Sequence, residues 1–130
     1  MTTTAPARQV TQTILHEQDG DVPGNCLQAA VASLLDLDLN VVPHFITHDD
    51  WLNRLIVFGQ EHGYLVRCEW QPETPTPLGI AIGPSPRGVQ HAVVVIDDET
   101  AWDPHPSRAG LLSVSLVLEF TPLPEAGGAR

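Results

Sequence analysis

The chain has 130 residues, 42% of them hydrophobic, and a formal charge of −10 from sixteen acidic and six basic residues. That length supports one domain with a buried core. The acidic balance excludes nucleic acid and anionic membrane surfaces as partners, because phosphate and headgroup binding need clustered Lys and Arg. No apolar run approaches the ~20 residues of a membrane span. All six basic residues are arginine, a pattern that GC-rich coding or avoidance of lysine modification would each produce. Two cysteines, Cys26 and Cys68, are too few for a disulfide framework, so a cytoplasmic, reducing setting is expected.

Residues 1–9 read as a flexible tail, 10–121 as one domain and 122–130 as a second, disordered tail. No secretory signal is expected at the N-terminus, since Met1 to Arg8 is followed by no long apolar stretch. Val10 to Leu15 reads as a short strand or as a lead-in packed on the domain. A helix is expected from Cys26 to Leu35, directly after the turn residues Pro23, Gly24 and Asn25. Pro43 forbids its simple continuation. A second helix spans Asp49 to His62, with Thr47 as N-cap, Asp49 and Asp50 in the first turn, and Gly63 as its stop.

Beyond Gly63 the period changes to that of strands. Tyr64–Trp70, Leu78–Ile82, His91–Ile96, Ala101–Trp102 and Leu112–Phe120 are expected to form an antiparallel meander. Gln71 to Pro77 reads as a loop and Asp97 to Thr100 as a hairpin turn. Helices followed by strands define an α+β fold. Cys68 alternates within a strand and reads as a packing residue.

Cys26 is the residue that points to chemistry. A thiol at a helix N-terminus feels the positive end of the macrodipole, which favours the thiolate. Far downstream, His91 heads an apolar strand, and Asp103 follows at the end of the next one. In an antiparallel hairpin those two ends are neighbours. Thiolate, imidazole and carboxylate then supply a nucleophile, a base and an orienting group. Asp97 and Asp98 compete for the carboxylate role but fall at the turn tip. Arg87 and Arg108 lie in loops flanking His91 and Asp103, where they read as recognition groups for a substrate carboxylate or phosphate. Trp102 and His105 flank Asp103 and are expected to line or shield the site. The histidines show no zinc-type spacing with either cysteine, so no metal or other cofactor is expected.

The turn-Cys-helix segment, His91-Ala92-Val93-Val94-Val95 and Trp102-Asp103-Pro104 together resemble a small papain-like cysteine peptidase of the C39-like, bacteriocin-processing branch. The likeness covers about Gln18 to Pro104. Loops 83–88 and 103–111 also resemble uncharacterised phage and actinobacterial proteins. The resemblance implies a papain-like α+β fold in a bacterial or phage-infected host cell, with Cys26 as nucleophile, His91 as general base and Asp103 as its orienter. It makes Gln18 the side-chain oxyanion donor, with Gln12 as the fallback, and the Cys26 N–H the second donor. Leu27 stands where the family places glycine directly after the cysteine, and the Gln18-to-Cys26 spacing is slightly long.

The function expected is a thiol hydrolase cleaving an amide, isopeptide or thioester bond of a peptide, a protein tail, a terminal glycine or a small amide. The alternatives are an acyltransferase with the same Cys-His-Asp logic, a non-catalytic papain-like protein that inhibits a host partner, and a structural phage component.

Overall fold

The computed structural model describes residues 8–15 and 24–124. Helix α1 spans Cys26–Leu35 and α2 spans Trp51–Glu61, with short 3₁₀ turns at Leu39–Val41 and Phe45–Thr47 between them. Strands β1 (Tyr64–Trp70), β2 (Leu78–Pro84), β3 (Gln90–Ile96), β4 (Glu99–Trp102) and β5 (Leu116–Pro122) follow. They form one antiparallel sheet on which the helices pack, an α+β architecture. Among the described residues no single helix is long and apolar enough to cross a membrane.

The strand order is β1-β5-β2-β3-β4, which overturns the expected meander. The last strand enters between β1 and β2, so the 71–77 loop has to step over one strand width. Local periodicity fixes which residues are extended and which face they share, but not which strand lies beside which. β5 is also shorter than expected. Leu112 and Ser115 donate backbone N–H groups to Pro84 and Ile82 without joining the ladder (2.8 Å each). The chain at Ser113 crosses so close to Gly83 that an added Cβ there would overlap the Ser113 carbonyl.

The unbroken apolar run Ala92–Val95 of β3 is buried because the sheet is covered on both faces. One face packs Val66, Ile80, Ala92, Val94, Leu118 and Phe120 with Leu27, Ala30 and Val31 of α1. The other gathers Ala81, Val93, Val95 and Val117 under Leu111.

α1 is itself packed on two sides. Its small residues Ala29, Ala30, Ala32 and Ser33 are buried, which lets β3 approach one side and the 8–15 segment another. Ser33 Oγ donates to the Ala29 carbonyl and accepts the Val10 N–H at 2.8 and 2.9 Å. Asp36 ends the helix in the left-handed conformation (φ 60°), returning its N–H to Ala32 and Ser33.

Val10 to Leu15 forms no strand; it is a packed strap. Arg8 pairs with Asp36 and Asp38 at 3.1 and 2.8 Å in exposed ion pairs that tie the start of the strap to the end of α1. At the other end Leu123 donates to the Gly63 carbonyl, which likewise ties down the chain past 121.

α2 lies on β1, with Leu55 and Gly59 buried. A Cβ at Gly59 would come within 2.5 Å of the Val66 side chain, so glycine sets this close approach. Thr47 is not the N-cap: it lies in the preceding 3₁₀ turn and donates to the His44 carbonyl. Asp50 takes the cap position, but its carboxylate accepts from Arg54 at 2.6 Å instead of from the helix backbone.

Candidate active site

α1 packs across β3, so the N-terminus of the helix meets the head of the strand that begins at Gln90. Cys26 opens that helix and His91 is second in that strand. The β3–β4 hairpin turns at Asp97 and Asp98, both left-handed (φ 51° and 68°). Its register sets Val94 opposite Trp102. One residue beyond Trp102, Asp103 therefore shares the face of His91. Asp98, by contrast, is held at the tip, where its backbone N–H donates to the Thr76 carbonyl at 2.9 Å.

His91 Nε2 lies 2.6 Å from Asp103 Oδ1, and both side chains are only 3% exposed. Cys26 lines the same cleft as His91, and its attraction favours the protonated ring. With Nε2 given to Asp103, Nδ1 is the nitrogen left for the sulfur. Cys26, His91 and Asp103 thus form a chain of neighbours, hydrogen-bonded at its His91–Asp103 link.

The carboxylate end of that chain is fully satisfied. Asp103 Oδ1 also accepts the His105 N–H at 2.8 Å, and Oδ2 accepts the Gly110 N–H at 2.6 Å. Burial alone would raise the Asp103 pKa; the hydrogen bonds from His91, His105 and Gly110 outweigh it and hold the group down to about 2. For His91, burial works against protonation. The hydrogen bond to Asp103 and the electrostatic pull of Cys26 and Asp103 prevail and raise it to about 9. The imidazole is therefore poised as an imidazolium across the neutral range.

The four residues read as substrate recognition groups do not line the cleft beside the thiol. Among the described residues that cleft is bounded by Gly24, Cys26, Leu27, Ile46, Ile82, Gln90, His91 and Ala92. Arg108 is a clamp instead. Its guanidinium donates to the carbonyls of Asp103 and His105 and to Thr11 Oγ1, all at 2.9 Å, and lies 4.2 Å over the Trp102 ring. Trp102 Nε1 donates to the Val10 carbonyl at 2.8 Å. Arg87 donates to Ser107 Oγ at 3.0 Å. His105 stands edge-on to His91 with ring centres 6.0 Å apart. Its Nδ1 accepts the Ser107 N–H at 2.9 Å, which leaves the proton on Nε2. Burial first, then the charges of Arg87 and His91, lower its pKa.

Gln18 lies outside the described residues. Gln12 is buried; its Nε2 donates to the Ile14 carbonyl at 2.8 Å, and it does not line the cleft. The fallback oxyanion donor is thus a brace of the strap. The Cys26 N–H, in the first turn of α1, has no intrahelical acceptor.

Sequence reasoning missed Asn25. It is 2% exposed, and its Oδ1 accepts the N–H groups of Thr13 and Ile14 at 3.0 and 2.8 Å. Its Nδ2 donates to Thr13 Oγ1 and Gln28 Oε1. An Asn before a helix reads as an ordinary N-cap, yet here it makes no cap bond and ties the strap to the nucleophile's turn. The strap also reaches the carboxylate loop, because the Gln12 N–H donates to the Pro104 carbonyl at 3.0 Å.

Among the described residues no group of three or more His, Cys, Asp or Glu could hold a metal ion.

The α+β fold thus brings a thiol, an imidazole and a carboxylate together at one end of its sheet. Comparison with family models, with curated proteins and with solved structures finds no match for the chain.

Proposed function

We propose that this chain is a thiol hydrolase of papain-like layout that cleaves an amide, isopeptide or thioester bond through an acyl-enzyme. One observation carries the reading: the Cys26–His91–Asp103 chain, with Cys26 at a helix N-terminus and an imidazole whose charged form is stabilised from both sides. In this reading the Cys26 thiolate attacks the substrate carbonyl. The Cys26 N–H faces the developing oxyanion. The His91 imidazolium gives its proton to the leaving group, and the resulting imidazole draws a proton from the water that releases the acyl group. Asp103 keeps the ring oriented and charged. Substrate peptides, protein tails and small amides all present the required carbonyl.

The test is the rate of iodoacetamide alkylation of Cys26 against pH, followed by intact mass in a Cys68→Ser background with His91→Ala in parallel. Fast labelling at pH 5 to 6 that disappears in His91→Ala supports the activated pair, because an unassisted thiol ionises near ~8.5. Slow labelling with an ordinary pH profile in both proteins would falsify the reading.

A further inference from the structure

The cleft shared by Cys26 and His91 has a volume of about 140 Å³. Besides those two residues its described wall is Gly24, Leu27, Ile46, Ile82, Gln90 and Ala92. Five of the six are aliphatic or glycine, and none is charged. An apolar cavity of about 150 Å³ holds a six-carbon ring, whereas a glycine next to the scissile bond fills almost none of such a space. Leu27, standing directly after the nucleophile, supplies part of this wall. Ile46 is 40% exposed on its 3₁₀ turn, so an apolar occupant would remove its side chain from water. Arg87 and Arg108, the groups suited to a substrate anion, lie outside.

We propose that this cleft seats a branched aliphatic group, of about four to six carbons, on the acyl side of the substrate. The substrate class is thus an aliphatic acyl donor, in place of the terminal glycine or featureless small amide expected from the sequence. The proposal rests on the thiol-hydrolase reading for its chemistry, but occupancy of the cleft can be measured without it.

The experiment has two arms, both on the full chain with Cys68→Ser. In the first, 4-methylpentanamide and acetamide are compared as protectants of Cys26 against iodoacetamide, which alkylates any accessible thiol. In the second, the p-nitrophenyl esters of 4-methylpentanoate and acetate are compared as acylating agents. There the thiolate adds to the carbonyl carbon, p-nitrophenolate leaves with the C–O bonding pair, and Cys26 keeps a thioester that water cleaves to the carboxylate. Each ester rate is normalised to its rate with free cysteine.

The expected result is protection by 4-methylpentanamide at concentrations where acetamide gives none. The normalised ester preference should be at least tenfold, given about fourfold for each fully buried methylene. Ile46→Asp, at a half-solvated position, should abolish the protection and bring the ester ratio close to one. Protection without any ester acylation would retain the cleft as an aliphatic ligand site and remove the hydrolase reading. Acylation indifferent to chain length, with no protection by either amide, would overturn the cleft proposal and leave the hydrolase reading standing.

Discussion

The backbone N–H of Gly110 donates to Oδ2 of Asp103 at 2.6 Å, so a loop glycine holds the far oxygen of the carboxylate that holds His91. Gly110 does this at φ +77°, a conformation L-residues rarely adopt, although an added Cβ would meet nothing within 4 Å. Gly110→Ala is therefore expected to cost about 1 kcal/mol of strain with no steric clash. Equilibrium urea unfolding measures the cost. Because the strain acts on the N–H that faces Asp103, Cys26 alkylation near pH 6 should slow as well. A variant with unchanged stability and unchanged labelling would show that this hydrogen bond is dispensable.

Asp103→Asn keeps the shape of the side chain and removes its charge. The His91 pKa should fall from about 9, since burial then acts with one opposing charge fewer. Cys26 loses its imidazolium partner over the same range. Labelling is expected to slow about tenfold for each unit by which the His91 pKa falls below the assay pH, and the alkaline limb of any hydrolase activity should move to lower pH. Rates indistinguishable from the parent protein across pH 6 to 9 would remove Asp103 from the site.

Folding stability should depend on pH with a sign set by the same pair. His91 is raised from 6.5 to about 9 in the fold. Its contribution is complete below pH 6.5 and is lost as pH rises through 9. Asp103 is lowered from 3.8 to about 2. Its contribution is present above pH 3.8 and is lost as pH falls toward 2. The difference in unfolding free energy between the parent and Asp103→Asn should therefore be largest between about pH 4 and 6.5. A difference that grows steadily from pH 6.5 to 9 would contradict the assignment.

Asn25→Ala strands the N–H groups of Thr13 and Ile14, which share its Oδ1. Thr13 is exposed and Ile14 half-buried, so water replaces part of what is lost and the cost falls at the low end of the about 1–3 kcal/mol of a buried donor. A loss of about 1–2 kcal/mol is expected, read from the urea midpoint. Freed from its tie to the turn before Cys26, the strap should also exchange its amide hydrogens faster at Thr13 and Ile14. Asn25→Asp keeps the acceptor and should retain more of that protection. Equal exchange in all three proteins would refute the clamp.

Much of this arrangement was legible in the sequence, for reasons that are local. The Ala- and Leu-rich run after Asn25 forms a helix with the expected bounds, and Gly63 stops α2 where a left-handed residue is needed. The turn at Asp97 and Asp98 was readable and sets Thr100 opposite Val95, but a register shift beyond it, unannounced in the sequence, sets Trp102 opposite Val94 and brings Asp103 to His91. What stayed hidden depends on tertiary contacts. Thr47 looked like a cap because composition does not say where a 3₁₀ turn intervenes. Leu112 and Val114 alternate like a strand, yet Gly83 draws that segment across the end of β2 instead of into the ladder. Arg108 resembled a ligand for a substrate anion, because nothing local announces that Trp102, Thr11 and two carbonyls already hold it.

The strand order has a consequence for the history of each molecule. During synthesis the hairpin carrying His91 and Asp103 emerges while β1 still lacks its neighbour, because β5 is made last and must slide between β1 and β2. The residues of the proposed reaction can thus come together early, while the sheet stays split until the final strand leaves the ribosome. Long-range insertion of this kind is slow and leaves apolar edges open in the interval. A nascent chain stalled before Leu116 would expose both the β1 edge and the β2 edge, each ready to pair with a neighbouring copy.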